Sequence, residues 1–470
     1  MIVEQIYTGC LAQGAYYIES AGEVAIIDPL REVYSYQNKA EKNGAKIKYI
    51  FETHFHADFV SGHLELSKKT GADIIYGPQA NPTFDCIIAN DGQVFELGKL
   101  KIKVLHTPGH TLESSCYLLF DENNQEYCIF TGDTLFIGDV GRPDLAQKSN
   151  LTIHDLAGFL YTSLHEKILN LPNNLLVYPA HGAGSACGKN MSKETFDTLG
   201  HQKEVNYALQ PQSKEQFIAA VTDGLTPPPY YFPKNVMINK TGAKSSEKIK
   251  SNVQALSPDA FEVAANELGA VMIDTRNAAV FKDGFVPNSI NIGIKGDFAP
   301  WTGTLLTDIE QPILFVAEEE NINEVITRLS RVGYDNIIGY LQGGIEAWVE
   351  SGKEIDTITS IAAEDFAKKY AESSGDILVK DVRKQTEYSA EHVAEAECVT
   401  LAYLNNNMAA FSKTEPNYLY CAGGYRSMIA ASILKSRGFD TIIDISGGFS
   451  EIAKTTVPRS NFVCQSKLKL

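Results

Sequence analysis

The chain has 470 residues and a formal net charge of -17; 44% of its residues are hydrophobic and 21% are charged. At roughly 100–200 residues per domain, this length predicts two to four domains, each large enough for its own core. A surface this acidic repels nucleic acid and anionic membranes, so we expect no nucleic acid and no membrane as partners. An anionic substrate would need a local basic patch.

The N-terminal residues and the distribution of cysteines bear on the cellular compartment of the protein. The first residues, MIVEQIYTGC, lack the basic and apolar regions of a signal peptide, and the longest apolar runs are only strand-length. The eight cysteines are scattered without paired spacing, which favours free thiols in a reducing compartment. We therefore expect a cytoplasmic protein without a disulfide framework.

Residues 1–225 alternate short apolar strands with turns and helices. Several of the predicted strands end on His or Asp, which places polar groups at strand ends, where sites of α/β proteins are commonly built. These strands are EVAIID, IKYIFETH, KIKVLHTP, YCIFTGD and LLVYPAH. Residues 226–254 follow with three consecutive prolines and a polar, Lys/Ser-rich stretch, which predict an extended linker.

A weak internal repeat occupies the rest of the chain, with copies at residues 255–355 and 358–465. The first copy contains VMIDTR, PILFVA and a helix NINEVITRLSRVGY; the second contains ILVKDVR, NYLYCAGGYRS and a helix MIAASILKSRGF. Each copy ends with a Gly-Gly pair before a last helix. The pattern predicts two α/β domains of one fold.

The stretch THFHADFVSGH, residues 53–63, carries His54, His56 and Asp58 on alternate positions after an apolar strand. Three further groups follow strands in the same way, namely His110 in HTPGHT, Asp133 in FTGDTLF and His181 in YPAHGAG. Imidazole and carboxylate ligands suit Zn, Fe or Mn. Six such groups in this order predict a metal site.

This pattern resembles the metallo-β-lactamase superfamily over residues 1–225, which implies a four-layer αββα sandwich with metals at its mouth. One position departs from the dinuclear hydrolases of that family. Phe59 stands where they carry a histidine, and a phenylalanine cannot bind a metal. The departure favours a single metal over two.

The run GDTLFIGDVGRPDL resembles the persulfide dioxygenase branch of the superfamily. That resemblance implies about one Fe(II) per chain, held by His54, His110 and Asp133, with open positions for O₂ and a substrate sulfur. It also implies that His56, Asp58 and His181 orient the ligands and water.

Two further residues near these motifs are candidate substrate-binding residues. Arg142 in GRPD either meets substrate or forms a structural ion pair with Asp144. Cys187 either brings its thiol to the metal mouth or packs as a small buried hydrophobe.

The second copy of the repeat contains CAGGYR, residues 421–426, between a strand and a helix. A cysteine in such a loop meets backbone N–H donors and the positive end of the helix, which lowers thiol pKa and stabilises a persulfide anion. Gly423 and Gly424 let the loop curl, and Arg426 can close it or meet an anionic donor. We predict that Cys421 is catalytic.

These residues resemble the rhodanese domain, through CxxGxR, the upstream DVR at Asp381–Arg383 and the last Gly-Gly pair; EHV replaces the GHI that the family often has. The first copy reads FVAEEE where the second reads LYCAGG. Because it lacks the cysteine and carries three acidic residues that would repel a persulfide, we predict an inactive rhodanese-like domain.

The whole chain resembles persulfide dioxygenase–rhodanese fusion proteins. The resemblance implies that a low-molecular-weight thiol persulfide and O₂ give sulfite, and that Cys421 makes or uses thiosulfate, in sulfide detoxification. We expect a homo-oligomer. The thiol and the direction of the transfer stay open. The rivals are a thioester hydrolase of the glyoxalase II type, which needs two metals, and a non-enzymatic sulfur carrier or sensor.

Overall fold

The computed structural model describes residues 1–145, 151–373 and 377–463. They form two compact units, the first comprising residues 1–248 with 329–333 and the second comprising the remaining described residues. No helix within these ranges has both the length and the apolar character that crossing a membrane requires.

The first unit contains two six-stranded sheets in which chain neighbours pair. The first sheet comprises β1 (Ile2–Thr8), β2 (Gln13–Ser20), β3 (Glu23–Ile27), β4 (Lys46–Glu52), β5 (Asp73–Tyr76) and β6 (Ile87–Ile88). The second sheet comprises β7 (Val94–Leu97), β8 (Leu100–His106), β9 (Ser115–Phe120), β10 (Glu126–Gly132), β11 (Leu176–Pro179) and β12 (Asp197–Thr198). The five strands predicted above correspond to β3, β4, β8, β10 and β11.

The helices of this unit cover the outer faces of both sheets. They are α1 (Tyr34–Lys42), α2 (His63–Thr70), α3 (Ile153–Thr162), α4 (Leu199–Val205), α5 (Lys214–Thr222), α6 (Phe232–Thr241) and α7 (Ser246–Asn252), which runs into the second unit. Alternate residues of β2 show the layering, because Tyr16 and Ile18 join the core between the sheets, whereas Ala15 and Tyr17 face α1 and α2. A third core lies between the second sheet and α3–α5. The order of layers is αββα, as predicted.

The predicted extended linker was wrong in part. Three prolines do keep residues 227–229 irregular, but α6 and α7 follow directly. Pro233 occupies the first turn of α6, where its missing N–H costs nothing. The linker was predicted from the polar composition of this stretch. That composition is compatible with a helix here, because α6 buries only a few side chains and two of them are asparagines.

The second unit contains two five-stranded parallel sheets with matching strand orders. One has β13 (Gln254–Leu256), β14 (Val271–Asp274), β15 (Ile290–Asn291), β16 (Ile313–Val316) and β17 (Ile337–Leu341), arranged β13-β17-β16-β14-β15. The other has β18 (Thr359–Ile361), β19 (Leu378–Asp381), β20 (Glu397–Cys398), β21 (Asn417–Tyr420) and β22 (Ile442–Ile445), arranged β18-β22-β21-β19-β20. The predicted internal repeat is confirmed as two copies of one topology.

The helices of the second unit flank these sheets. The first copy has α8 (Pro258–Leu268), α9 (Ala278–Phe281), α10 (Phe298–Leu305), α11 (Ile322–Arg331) and α12 (Gly344–Glu350). The second copy has α13 (Ala363–Glu372), α14 (Gln385–Ala390), α15 (Tyr425–Ser436) and α16 (Gly448–Ile452). α15 is buried along nearly its whole length, which fixes the loop that precedes it.

Candidate metal centre and candidate sulfur-transfer loop

The predicted metal ligands meet at one edge of the two sheets of the first unit. His54 follows β4, Asp133 follows β10, and His110 lies in the loop between β8 and β9. One ligand atom from each lies within 4.8 Å of the others, and all three residues are buried. Asp133 Oδ2 lies 3.9 Å from His54 Nε2 and 3.4 Å from His110 Nε2.

The chemistry of these atoms fits a bound metal ion. Both carboxylate oxygens of Asp133 are buried and accept no hydrogen bond from the described residues. Burial lowers the pKa of His54 well below its ordinary value, and His56 and His110 nearby lower it further, so its imidazole is neutral and offers a lone pair. A buried carboxylate that accepts no hydrogen bond is costly unless a cation lies beside it. The two imidazoles and the carboxylate therefore offer a ligand set that suits one metal ion.

His56, Asp58 and His181 form a second buried group beside the first. His181 Nε2 lies 3.4 Å from Asp58 Oδ2 and 3.6 Å from Asp133 Oδ1. Burial raises the pKa of Asp58, which His181 and His56 partly offset. Phe59 is fully buried, and its ring packs 4.2 Å from that of His56, centroid to centroid. One ligand atom from each residue of this second group lies within 4.8 Å of the others, the same spacing as in the first group.

His56 faces two carboxylates that the sequence analysis did not single out. Its Nε2 lies 3.1 Å from Asp28 Oδ1 and 3.5 Å from Glu52 Oε2. Burial alone would lower the pKa of His56, but Asp28, Glu52 and Asp58 raise it to about 9. Asp28 directly follows β3 and Glu52 is the last residue of β4, so the strand-end rule that located the histidines applies to both.

Backbone and hydroxyl groups orient the metal-facing imidazoles. His54 Nδ1 lies 3.0 Å from Thr53 Oγ1, and His110 Nδ1 lies 2.9 Å from the carbonyl oxygen of Arg142. With Nδ1 engaged in this way, Nε2 of each ring is directed to the centre. Gly141 permits the approach, because a Cβ there would lie 2.0 Å from Asp133 O and 3.0 Å from His110 Nδ1.

Of the two alternatives for Arg142, the structure shows the ion pair. Its Nε and Nη2 donate to Asp144 at 2.7 and 2.6 Å, and the guanidinium also donates to the carbonyl oxygens of Ala186 and Thr226. Cys187 is buried, and its Sγ lies within 4.8 Å of one ligand atom each of Asp133 and His181. Burial, with Asp58 and Asp133 nearby, raises the pKa of Cys187 well above its ordinary value, so the thiol stays protonated.

One contact to this loop comes from the segment predicted to be a linker. The Asn239 side chain, on α6, donates to the carbonyl oxygens of His56 at 2.8 Å and Phe59 at 2.7 Å, and accepts from Ser61 N at 2.8 Å. A buried amide with three backbone partners fixes the loop that carries Asp58. A lone asparagine in a polar stretch gives no sequence signal for this role.

In the second unit, Cys421 follows β21 and is 1% exposed. The backbone N–H of Gly424 donates to its Sγ at 3.1 Å, and Gly424 takes the left-handed φ of 98° that lets the loop turn into α15. Gly448 is required beside it, because a Cβ at that position would lie 2.3 Å from Cys421 O. The predicted loop thus presents a backbone donor to the sulfur.

Arg426 closes the loop. Its guanidinium donates to both oxygens of Glu387 at 2.6 and 2.8 Å, a bidentate pair that links α15 to α14. Gly423 contributes backbone without contact at its Cβ position. In the first copy, Ala317 occupies the place of Cys421. The strand-end aspartates Asp274 and Asp381 pair with Val316 and Tyr420, and Ala317 and Cys421 are the residues that follow.

Two family models match parts of the chain. The rhodanese-like domain model matches residues 257–351 and 363–455, and the metallo-β-lactamase superfamily model matches residues 8–85. The fold class predicted from the sequence is confirmed. Each of the two segments that match the rhodanese-like domain model lies inside one of the copies predicted at 255–355 and 358–465.

Two relatives carry different activity names. A probable hydroxyacylglutathione hydrolase of Schizosaccharomyces pombe is 32% identical over 166 residues, which cover 35% of this chain and 60% of that protein. The mitochondrial persulfide dioxygenase ETHE1 of Mus musculus is 32% identical over 208 residues, which cover 44% of this chain and 73% of that protein. The chain therefore spans only about 60% of the length of the first of these relatives.

A solved metallo-β-lactamase structure from Staphylococcus aureus covers more of the chain. It is 29% identical with a TM-score of 0.64, and the match covers 73% of this chain and 98% of that one. The family-model matches, the persulfide dioxygenase relative and this structure agree on the fold and the family of the chain. The chain belongs to the metallo-β-lactamase superfamily, in a form that carries two rhodanese-like domains after the metallo-β-lactamase domain.

Proposed function

We propose that the protein oxidises a low-molecular-weight thiol persulfide with O₂ at an iron centre and transfers sulfane sulfur through Cys421. The observation that carries this proposal is the coexistence in one chain of a buried two-His, one-Asp group and a cysteine loop that presents an N–H donor to sulfur. We place the enzyme in the cytoplasm, where thiols stay reduced.

The first reaction is RSSH + O₂ + H₂O → RSH + H₂SO₃, in which the terminal sulfur is oxidised and O₂ is reduced. His54, His110 and Asp133 would hold about one Fe(II) per chain, which, when bound, supplies open positions for O₂ and sulfur. The buried Nδ1 contacts of both histidines keep their Nε2 atoms directed inward. His56, Asp58 and His181 would orient these groups, and burial would exclude bulk water.

The second reaction passes sulfur through Cys421. The thiolate attacks the terminal sulfur of RSSH, giving Cys421–S–S⁻ and RSH. Sulfite then takes that sulfur, so that Cys421–S–S⁻ + SO₃²⁻ gives Cys421–S⁻ + S₂O₃²⁻. The Gly424 N–H would stabilise the sulfur anion in each state. The reverse direction, from thiosulfate to a thiol, uses the same residues.

Oxygen consumption by the iron-loaded protein against a panel of thiol persulfides tests the proposal. We expect uptake with at least one persulfide, with sulfite or thiosulfate as product. A protein that binds iron but consumes no O₂ with any persulfide would be a carrier or sensor, and the dioxygenase proposal would be wrong.

A hydroxyacylglutathione hydrolase is the second candidate function. The observations that favour it are a relative of that name at 32% identity and the second buried group of His56, Asp58 and His181. It predicts two tightly bound metals and hydrolysis of a hydroxyacylglutathione thioester. Metal analysis of the purified protein, together with that hydrolysis assay, separates the two functions.

A further inference from the structure

A cavity of about 300 Å³ lies between the two rhodanese-like copies, beside the loop that carries Cys421. Gly423 and Gly424 of that loop form part of its wall, and Gly424 is the residue whose N–H meets the Cys421 sulfur. The first copy, which has no cysteine, supplies much of the remaining wall.

Two carboxylates that form no ion-pair contact among the described residues line the cavity. Asp444, at the end of β22, is 3% exposed; its Oδ2 accepts from Ser360 Oγ at 3.0 Å, while its buried Oδ1 accepts no hydrogen bond from the described residues. Glu318 of the first copy accepts from the Asn321 amide at 2.8 Å but forms no ion pair within the described part of the chain. Burial raises the pKa of Asp444 to about 6, so it is mainly ionised at neutral pH.

Two lysines of the first copy line the same cavity. Lys295 is exposed and forms no ion pair with the residues described. Lys282 lies 2.6 Å from the carboxylate of Asp283, which is itself 71% exposed and so provides only a weak, screened partner. The cavity therefore presents two cationic and two anionic groups, of which three belong to the copy without a cysteine.

We propose that this cavity binds the carrier part of a small zwitterionic thiol, with the ligand's ammonium group at Asp444 and Glu318 and its carboxylate at Lys282 and Lys295. A volume of about 300 Å³ is at the lower end of ligand pockets, roughly 300–1,000 Å³, and suits an amino-acid or small-peptide thiol better than one that carries a nucleotide. The proposal rests on the proposed function, since it seats the thiol that exchanges sulfur with Cys421.

The sulfur step at this seat balances without another reactant. A bound thiol attacks the outer sulfur of the cysteine persulfide, so that Cys421–S–S⁻ + RSH gives Cys421–S⁻ + RSSH. One S–S bond breaks, another forms, and the thiol proton passes to the product persulfide. The first copy thus acts as a positioning domain for a reaction whose cysteine lies in the second.

Steady-state thiosulfate:glutathione sulfurtransfer by the full chain tests this assignment. We expect Lys295→Gln and Glu318→Gln each to raise the KM for glutathione by about tenfold, the loss of one charge-assisted contact, and to leave the KM for thiosulfate unchanged. Lys368→Gln is the matched control, because Lys368 is 71% exposed on α13 and pairs with Asp365 outside the cavity. N-acetylglutathione, which lacks the ammonium group, should be a poor sulfur acceptor for the wild type. Its KM should not rise further in the Glu318→Gln variant.

Three outcomes would overturn the proposal. The first is an unchanged KM for glutathione in both variants. The second is a change confined to the KM for thiosulfate, which would make the lysines a site for the inorganic anion. The third is a KM for coenzyme A that rises in the variants as the KM for glutathione does. If the wild type shows no sulfurtransfer at all, the proposed function fails, and calorimetry with S-methylglutathione still decides the cavity. Binding that is weakened about tenfold in both variants supports the seat; no binding, or equal binding in all variants, refutes it.

Discussion

Asn239→Ala tests whether the α6 amide holds the metal loop. The wild-type side chain is 1% exposed and makes three hydrogen bonds to the backbone of residues 56, 59 and 61. Alanine removes all three partners and leaves two carbonyl groups and one N–H unpaired in a buried place. We expect both stability and metal retention to fall, since His54 lies immediately before this loop.

The expected size follows from the number of bonds. At about 1 kcal/mol net for each hydrogen bond, with the buried N–H left unsatisfied, the free energy of unfolding of the first unit should fall by about 3–4 kcal/mol. For a unit of this size, with roughly 2–4 °C for each kcal/mol, the midpoint of thermal unfolding should drop by about 6–16 °C. At limiting Fe(II), the variant should also retain less metal than the wild type.

Asn235→Ala is the matched control, one turn earlier on α6. Asn235 is fully buried, and neither atom of its amide has a hydrogen-bond partner among the described residues. Its removal loses packing but no hydrogen bond, so we expect a loss below about 1 kcal/mol and normal metal retention. Calorimetric unfolding and metal analysis of both variants decide. Equal losses in the two variants would mean that α6 acts by packing and that the Asn239 contacts do not hold the loop.

Further predictions concern both sites. Asp133→Ala should lose both metal and O₂ uptake, measured by metal analysis and an oxygen electrode, and two tightly bound metals in the wild type would contradict a mononuclear centre. Cys421→Ser should still consume O₂ with a persulfide but release sulfite in place of thiosulfate; thiosulfate formed at the wild-type rate, after subtraction of an enzyme-free control, would point to another residue such as Cys187. Gly448→Ala should abolish sulfurtransfer and spare O₂ uptake, because its Cβ would lie 2.3 Å from Cys421 O. Burial raises the pKa of Asp444 from 3.8 to about 6, so the folded state binds this proton more tightly. That stabilisation is present below about pH 4 and is lost as pH rises through about 6. Asp444→Asn should therefore reduce the change in unfolding free energy between pH 4 and pH 7, and an unchanged pH profile in chemical denaturation would contradict it.

The grouping of the His and Asp residues was predictable because each of them follows an apolar strand. The sequence places His54 and Asp133 at strand ends, and parallel and neighbouring strands bring those ends to one edge. Asp28 and Glu52 obey the same rule but stand in no recognised motif, so their contact with His56 emerged only from the structure. Asn239 obeys no such rule, because its partners lie about 180 residues away in the chain.

The role of Arg426 shows the limit of motif reading in another way. The sequence left two roles open, closing the loop or meeting an anionic donor, and both need a guanidinium at the start of α15. The deciding residue is Glu387 on α14, which accepts both of its hydrogen bonds. An ion pair between two helices depends on their packing, which a pattern of single residues does not specify.

The two rhodanese-like copies separate what the fold needs from what sulfur chemistry needs. In both, the arginine two residues after the strand-end aspartate pairs with it at 2.6 Å and donates to a carbonyl oxygen farther along, so Arg276–Asp274 and Arg383–Asp381 have the same geometry. Since the first copy lacks the cysteine, this pair belongs to the fold.

Arg426 has no such counterpart. Counted from the paired positions Val316 and Tyr420, Ala317 stands where Cys421 stands, and Ile322 stands where Arg426 does. A bidentate arginine therefore disappears together with the cysteine, while the arginine that supports the sheet is kept. That correlation within one chain argues that Arg426 and Glu387 belong to the sulfur-transfer loop. Their ion pair holds the N-terminus of α15, so that the N–H of the preceding Gly424 meets the sulfur.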